Sequence, residues 1–207
     1  MAKGSSRFGK YKERKVREAL RNPINVLKSL SEKSQEKSYK YQRLYRNLYN
    51  PEFYLLAYQN IYANKGSMTP GADGMTIDGI SMARINRIIE SMRNQSYQPK
   101  PARREYIKKK TGNKKRPLGI SSADDKLVQE VVRMILESIY EGSFSAKSHG
   151  FRPNKSCHTA LIQIRKTFTG AKWFVEGDIK ACFDSFDHAV LICILRKRIE
   201  DEAFLNL

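Results

Sequence analysis

The sequence predicts an α/β fold, because three kinds of pattern follow one another along the chain. Amphipathic helical stretches fill most of it, two extended arms flank a turn near its middle, and a short apolar run ends in a carboxylate. Hydrophobic residues make up 40% of the composition, which is enough for a core. We therefore expect a basic helical N-terminal extension, a hairpin backed by helices, and the first strand of a further sheet.

Positive charge is concentrated in two blocks. Of a net charge of +18, residues 1–50 contribute 14 basic and 4 acidic side chains, and residues 101–120 contribute 8 and 1. Such blocks indicate a polyanionic partner, either nucleic acid or an anionic membrane face. No apolar run approaches the roughly 20 residues of a membrane span, and the three cysteines have no metal-ligand spacing. We therefore expect a cytoplasmic protein that binds nucleic acid and no membrane.

Residues 1–64 predict the basic extension. The first 20 or so are too charged to pack, whereas apolar spacing from about 28 to 64 predicts helices. Tyrosines alternate there with the basic residues Lys40, Arg43 and Arg46. Such a mixture suits base stacking and phosphate contact on RNA, or simply the packing of a helix pair. Both interpretations apply to the same side chains: Tyr39, Tyr41, Tyr45, Tyr49 and Tyr54.

Residues 65–170 predict a second unit built around the hairpin. Glycines mark a loop over 64–79, and residues 80–94 have an amphipathic helical pattern. Residues 97–120 form two extended arms around the turn TGN. The arms project basic residues that are suited to phosphate contact, including Arg103, Arg104, Lys114 and Lys115.

Two further helices and a strand complete the pattern. Residues 123–139 and 157–168 are amphipathic, and the stretch HAVLICILRKRI near the end is also helical. In the last unit, 171–207, Trp173 to Glu176 predicts a short strand that delivers Asp178 at its end.

The acidic residues after this strand predict a bound cation nearby. An isolated buried carboxylate is expensive unless something compensates its charge, so we expect a counter-charge opposite Asp178. Asp184 and Asp187 are better suited to capping the helix that follows or to binding basic neighbours.

Four blocks in order resemble the N-terminal half of the reverse transcriptases encoded by group II introns, also called maturases. They are MTPGADGMT at 68–76, KKRPLGISSADDKLVQEVV at 114–132, SHGFRPNKSCHTAL at 148–161 and EGDIKACFDSFDH at 176–188. The similarity covers about residues 45–200. It implies the fingers and palm of a right-hand polymerase, with fingers in 65–170 and the start of a palm in 171–207.

The resemblance also implies roles for the last block. Asp178 matches the first catalytic aspartate and a metal ligand, and Ile179 matches the residue whose carbonyl reaches the second metal. Phe183 matches the aromatic gate that clashes with a ribonucleotide 2′-hydroxyl.

Basic residues receive roles in the same way. Arg116 matches the fingers residue that pairs with the incoming triphosphate. Its lysine partner is expected about six residues earlier, and Lys109 and Lys110 compete for that place because this turn is one residue longer than usual. Arg152 lies in a segment that approaches the template or the incoming base.

The implied chemistry is nucleotidyl transfer. Two Mg²⁺ ions can serve the attacking and leaving oxygens, and such ions are held by a few carboxylates and substrate phosphates. The implied partners are intron RNA, an RNA template with a DNA primer, and deoxynucleoside triphosphates. The alternative function is that of a non-catalytic RNA-binding module that acts in intron folding and splicing.

The chain departs from the family pattern in one respect. It contains no Tyr-Ala-Asp-Asp block or close variant, and its one Asp-Asp pair, Asp124–Asp125, precedes the block that carries Asp178. We therefore expect the fragment to be inactive alone and Leu207 to lie inside a palm. We also expect association with a second copy or with the missing palm and thumb.

Overall fold

The computed structural model describes residues 22–108 and 115–207. The predicted fraying of the first residues lies outside these ranges, as do the roles of Lys109, Lys110 and Lys114. No helix within them is both long and apolar enough to cross a membrane.

The described residues are mostly helical. Short 3₁₀ turns connect several of the regular elements, at Tyr45–Tyr49, Ile77–Gly79, Glu141–Ser143 and Phe183–Ser185. The regular elements are α1 (Pro23–Ser34), α2 (Pro51–Tyr62), α3 (Met82–Arg93), β1 (Arg103–Lys108), β2 (Lys115–Ile120), α4 (Ala123–Tyr140), α5 (Cys157–Thr167), α6 (His188–Arg196) and α7 (Glu202–Leu205).

Side-chain caps start the helices where the sequence changes character. Asn22 accepts from the Ile24 amide at 2.9 Å, and the following proline presets the first helical φ of α1. Ser122 caps α4 in the same manner. Asp187 accepts from the first amides of α6, which confirms its predicted capping role.

Helix α4 forms the centre of the core. It packs against α1 and α2, and its apolar face is fully buried. The face predicted from the sequence is thereby confirmed: Leu127, Val131, Met134, Ile135 and Ile139. Helix α3 adds its own predicted apolar face, Ile85, Ile88, Ile89 and Met92.

The end of the chain returns to its beginning. The Tyr41 amide donates to the Arg198 carbonyl and the Glu200 amide donates to the Tyr41 carbonyl, both at 2.8 Å. Ile199 and Phe204 join the same buried cluster as Tyr41. The division at 64 and 170 stays a prediction, and the core draws residues from all three segments.

The glycine-rich loop over 64–79 rests on the start of α4. A Cβ on Gly71 would lie 2.7 Å from the Ser122 Cα, so this contact admits only glycine. The Lys126 ammonium donates to the Thr69 carbonyl at 2.8 Å, and burial lowers the pKa of Lys126.

The α/β prediction is confirmed in part: the described residues are mostly helical, and one antiparallel hairpin is their sheet. One expectation about the fold requires correction. The strand predicted at 173–176 is wrong: residues 171–179 are irregular, and Val175 is fully exposed. A strand forms only where its backbone groups find a partner, and the described residues supply none for this segment.

Candidate nucleotide and nucleic-acid site

Asp178 lies on an exposed, irregular segment. Its neighbour Ile179 is 71% exposed, and Phe183 is 85% exposed. The carboxylate is therefore hydrated, and the expectation that burial demands a counter-charge there is wrong for this structure. The metal-binding role of Asp178 consequently rests on its place in the sequence block.

Local hydrogen bonds shape the turn that follows Asp178. Ala181 has a φ of +51°, and the Ser185 amide donates to the Ala181 carbonyl at 2.9 Å. The Phe183 ring stands edge-on to the Phe186 ring, with centroids 6.5 Å apart. This turn presents Phe183 to solvent just before the Asp187 cap of α6.

The donors near Asp178 are of the kind that Mg²⁺ uses. A carboxylate and a backbone carbonyl are hard oxygen ligands, and Mg²⁺ commonly keeps waters and takes substrate phosphates beside one or two carboxylates. Within residues 22–108 and 115–207, no group of three or more His, Cys, Asp and Glu side chains could hold a metal. The arrangement fits a shared metal site that substrate completes, and it does not fit a closed protein cage.

The hairpin register sorts its basic residues onto two faces. Arg103, Ile107 and their opposite partners Ile120 and Arg116 share one face, because partners alternate along the ladder. The other face carries Arg104 opposite Gly119, Tyr106 opposite Pro117, and Lys108 opposite Lys115. Like charges directly opposite one another destabilise a pair of strands. An anion over Lys108 and Lys115 would relieve this repulsion.

The basic residues of β1 differ in how they are engaged. Arg103 is half-buried and donates to the Pro70 carbonyl at 3.1 Å and to the Glu105 carboxylate at 2.5 Å. Arg104 is exposed on the opposite face. Arg103 therefore ties the hairpin to the glycine-rich loop, and Arg104 faces solvent.

Arg152 is held by its own loop. Its guanidinium bonds the Glu141 carboxylate at 2.8 Å and the carbonyls of Ser145 and Ser148 at 2.7 and 2.9 Å. It also lies 5.3 Å from the Phe144 ring centroid. The predicted contact of Arg152 with RNA stays a prediction, and in this structure the side chain organises residues 141–152.

The N-terminal tyrosines divide between the two interpretations. Tyr41, Tyr45 and Tyr54 are buried in the core, so packing accounts for them. Tyr39 and Tyr49 are only half-buried. The basic residues that lie among these tyrosines also differ in their contacts.

Lys40 is exposed, and its ammonium contacts residues near the end of the chain. Its ammonium lies 3.7 Å from the Glu200 carboxylate and donates to the Arg196 carbonyl at 3.2 Å. Arg43 and Arg46 are exposed and line a cavity beside α1.

A partly buried polar cluster at the base of the hairpin was not predicted. Arg84 is 4% exposed and pairs with Asp124 at 2.5 Å, and Lys100 bonds Asp73 at 2.9 Å. The hydrogen bond from Lys100 lowers the pKa of Asp73. No short motif announces this cluster, because its members come from four separate stretches of chain. It fixes the base of the hairpin against α3 and α4.

Comparison with known proteins identifies the class. Residues 107–204 match the family described as "Reverse transcriptase (RNA-dependent DNA polymerase)". The matched region contains β2, with Arg116, and the segment that carries Asp178. The chain thus contains part of a reverse transcriptase domain.

Individual relatives narrow the class. The chain is 52% identical to the group II intron-encoded protein LtrA of Lactococcus lactis subsp. cremoris over 88% of its length. It is 45% identical over 90% of its length to an uncharacterised 91 kDa protein in the cob intron of Schizosaccharomyces pombe. Nuclear intron maturase 1 of Arabidopsis thaliana is 43% identical over 40% of the chain.

The chain belongs to the group II intron-encoded reverse transcriptases. It spans 31% of the Lactococcus protein, 23% of the Schizosaccharomyces protein and 12% of the Arabidopsis protein. It therefore represents part of such a protein.

Proposed function

We propose that this chain supplies the fingers and the first palm segment of an RNA-directed DNA polymerase that also binds its intron RNA. One observation carries the proposal: the family match spans residues 107–204, which include β2 and the exposed segment that presents Asp178, Ile179 and Phe183. In this proposal the 207 residues alone do not polymerise DNA. They do so together with a further palm segment that supplies the remaining catalytic carboxylates.

Each residue of the exposed segment has a role in this proposal. The Asp178 carboxylate and the Ile179 carbonyl would hold Mg²⁺, and the ion would supply charge neutralisation at the α-phosphate. Phe183 excludes ribonucleotides by contact with their 2′-hydroxyl. Arg116 receives the triphosphate with its planar guanidinium, assisted by Lys109 or Lys110.

RNA binding without catalysis is the second candidate function. The Lys108–Lys115 pair on the Arg104 face favours it, because a phosphate chain would offset the repulsion between these opposed charges. Both functions coexist in one protein if catalysis and RNA binding use different residues.

A chimera separates the two functions. In it, this chain replaces the matched 183-residue region of the Lactococcus protein. We expect the chimera to extend a DNA primer on an RNA template. Asp178→Asn should reduce extension by about a hundredfold or more, because it removes a metal-ligating charge. Affinity for intron RNA should change by less than about threefold, since one exposed acid contributes little to phosphate contact.

Asp184→Asn is the matched control. Asp184 lies six residues from Asp178 on the same exposed stretch and loses the same charge. Equal activity losses in the two variants would contradict a specific role for Asp178. An inactive wild-type chimera that still binds intron RNA would leave the non-catalytic function in its place.

A further inference from the structure

A basic cavity lies between α1, the Tyr39–Pro51 segment and the end of α3. Its volume is about 1170 Å³, which is ample for a nucleotide since ligand pockets commonly measure about 300–1,000 Å³. Four cations line it: Lys33, Arg43, Arg46 and Arg93. No carboxylate side chain is among its described lining residues. The cavity therefore favours an anionic occupant.

Aromatic rings line the same cavity. Tyr39 stands edge-on to Tyr41 at a centroid distance of 5.0 Å, and Tyr49 stands edge-on to Tyr45 at 5.7 Å. In each pair the first ring is half-buried and the second is in the core. The Lys33 ammonium lies over the Tyr39 ring, 5.0 Å from its centroid, and donates to the Tyr39 hydroxyl at 3.0 Å. Tyr49 is therefore the ring that offers a surface on which a base can stack, next to cations that can hold its phosphates.

Core hydrogen bonds fix the walls of the cavity. The Tyr41 hydroxyl donates to the Leu30 carbonyl of α1 at 2.8 Å. The Tyr45 amide donates to the Asp201 carboxylate at 2.8 Å, and its hydroxyl donates to the Met92 carbonyl at 3.0 Å. A site with such walls is largely formed before its ligand arrives, which lowers the entropy cost of binding.

Arg43 occupies an unusual backbone conformation at the edge of this cavity. Its φ of +57° lies in the left-handed region, which a long side chain rarely adopts. Such conformations cluster at ligand sites, where the surrounding structure holds them in place. Here the Tyr41 bridge and the 3₁₀ turn at Tyr45–Tyr49 hold the chain on either side.

The chain's own N-terminal segment is a poor occupant. Residues 1–21 carry eight basic and two acidic side chains, which have the same sign of charge as the cavity. Like charges repel, so this segment would add to the attraction for a polyanion.

We propose that this cavity binds a single unpaired nucleotide of an RNA strand. Arg43 and Arg46 contact the phosphates, and the base lies against Tyr49. The inference rests on the proposed function, in which the chain binds intron RNA. It states which form of RNA the cavity selects. A paired base cannot enter, because it is stacked inside its duplex.

The test compares single-stranded and duplex RNA of about ten nucleotides, with fluorescence anisotropy of the 207-residue chain. Arg43→Gln with Arg46→Gln should weaken single-strand binding about tenfold. Duplex binding should weaken no more than in the control. Tyr49→Leu, which changes no charge, should weaken single-strand binding about fivefold.

The control is Lys37→Gln with Lys65→Gln. Both lysines are exposed, and the double change removes the same two charges from residues that do not line the cavity. Melting temperatures of all variants check that folding is unchanged. An equal loss in the control, or an equal loss on duplex, would overturn the proposal.

The possible outcomes also separate failure of this inference from failure of the proposed function. Polyglutamate that displaces the single strand as well as unlabelled RNA does would assign the cavity to acidic peptide and overturn the inference. A wild-type chain that binds no RNA would overturn both the inference and the RNA-binding half of the proposed function. Wild-type binding that the cavity variants and the control affect equally would overturn the inference alone.

Discussion

At the scale of single residues, Asp125 shows how one buried charge fixes the frame of the site. It is 3% exposed and accepts hydrogen bonds from the Tyr97 hydroxyl, the Lys100 amide at 3.1 Å and the Ser122 hydroxyl at 2.7 Å. A buried carboxylate is tolerated when its oxygens are satisfied in this way. Burial, and then the bond to Asp125, raise the pKa of Tyr97.

Tyr97→Phe should therefore destabilise the fold. The change deprives a buried carboxylate of one donor, which typically costs about 1.5–3 kcal/mol. Urea unfolding followed by circular dichroism at pH 7 measures the loss. Tyr106→Phe is the control, because Tyr106 is exposed on the hairpin. Similar losses in both variants would contradict the account of Asp125.

The same bond predicts a dependence on alkaline pH. The folded pKa of Tyr97 lies above its unfolded value of about 10, so its contribution is present below pH 10 and declines as the pH rises further. The free energy of unfolding of the wild-type chain should decrease above pH 10, and that of the Tyr97→Phe variant should decrease less steeply. Parallel slopes would show that Tyr97 does not titrate differently in the two states.

Single residues also show where sequence-based prediction succeeds. The Asp187 cap and the buried face of α4 depend on nearest neighbours along the chain, so the sequence suffices to predict them. The cavity cations Lys33 and Arg93 were not singled out, because they lie 60 residues apart. Only the folded chain brings them together.

At the scale of elements, the two faces of the hairpin carry different basic residues. Register places Arg116 with Ile107 on one face and Lys115 with Lys108 on the other. The sequence predicted the hairpin and its charge, and pairing decides which charges act together. The prediction of a strand at 173–176 was wrong for a related reason: a strand forms only when a neighbouring strand pairs with it, and its own composition does not supply that partner.

Adjacent residues on opposite faces give a matched pair of variants. In the chimera, Lys115→Gln should weaken RNA binding and reduce the salt slope by at most about one unit, as expected for one lost phosphate contact. Arg116→Gln should mainly raise the KM for deoxynucleoside triphosphates. Each change removes one exposed charge from β2. Identical effects on RNA affinity and KM would contradict the assignment of separate faces.

At the scale of the whole molecule, the described chain has a packed half and an exposed half. Residues from 41 to 139 and from 199 to 205 supply the buried core. Most of the exposed large apolar side chains of the described residues lie between 144 and 194, around the segment that carries Asp178. Apolar surface of this extent marks an interaction site, so association with a second copy or with the rest of the polymerase stays our prediction.

We propose that Asp178 becomes a metal ligand when the polymerase is complete, and iron-mediated cleavage of the backbone would detect the bound metal. Fe²⁺ replaces Mg²⁺ at oxygen-ligand sites and, with ascorbate and peroxide, cuts the backbone next to its ligands. In the chimera bound to template and primer, we predict cleavage within residues 174–188 that Asp178→Asn abolishes. Cleavage confined to other segments, or cleavage there that survives Asp178→Asn, would contradict the claim.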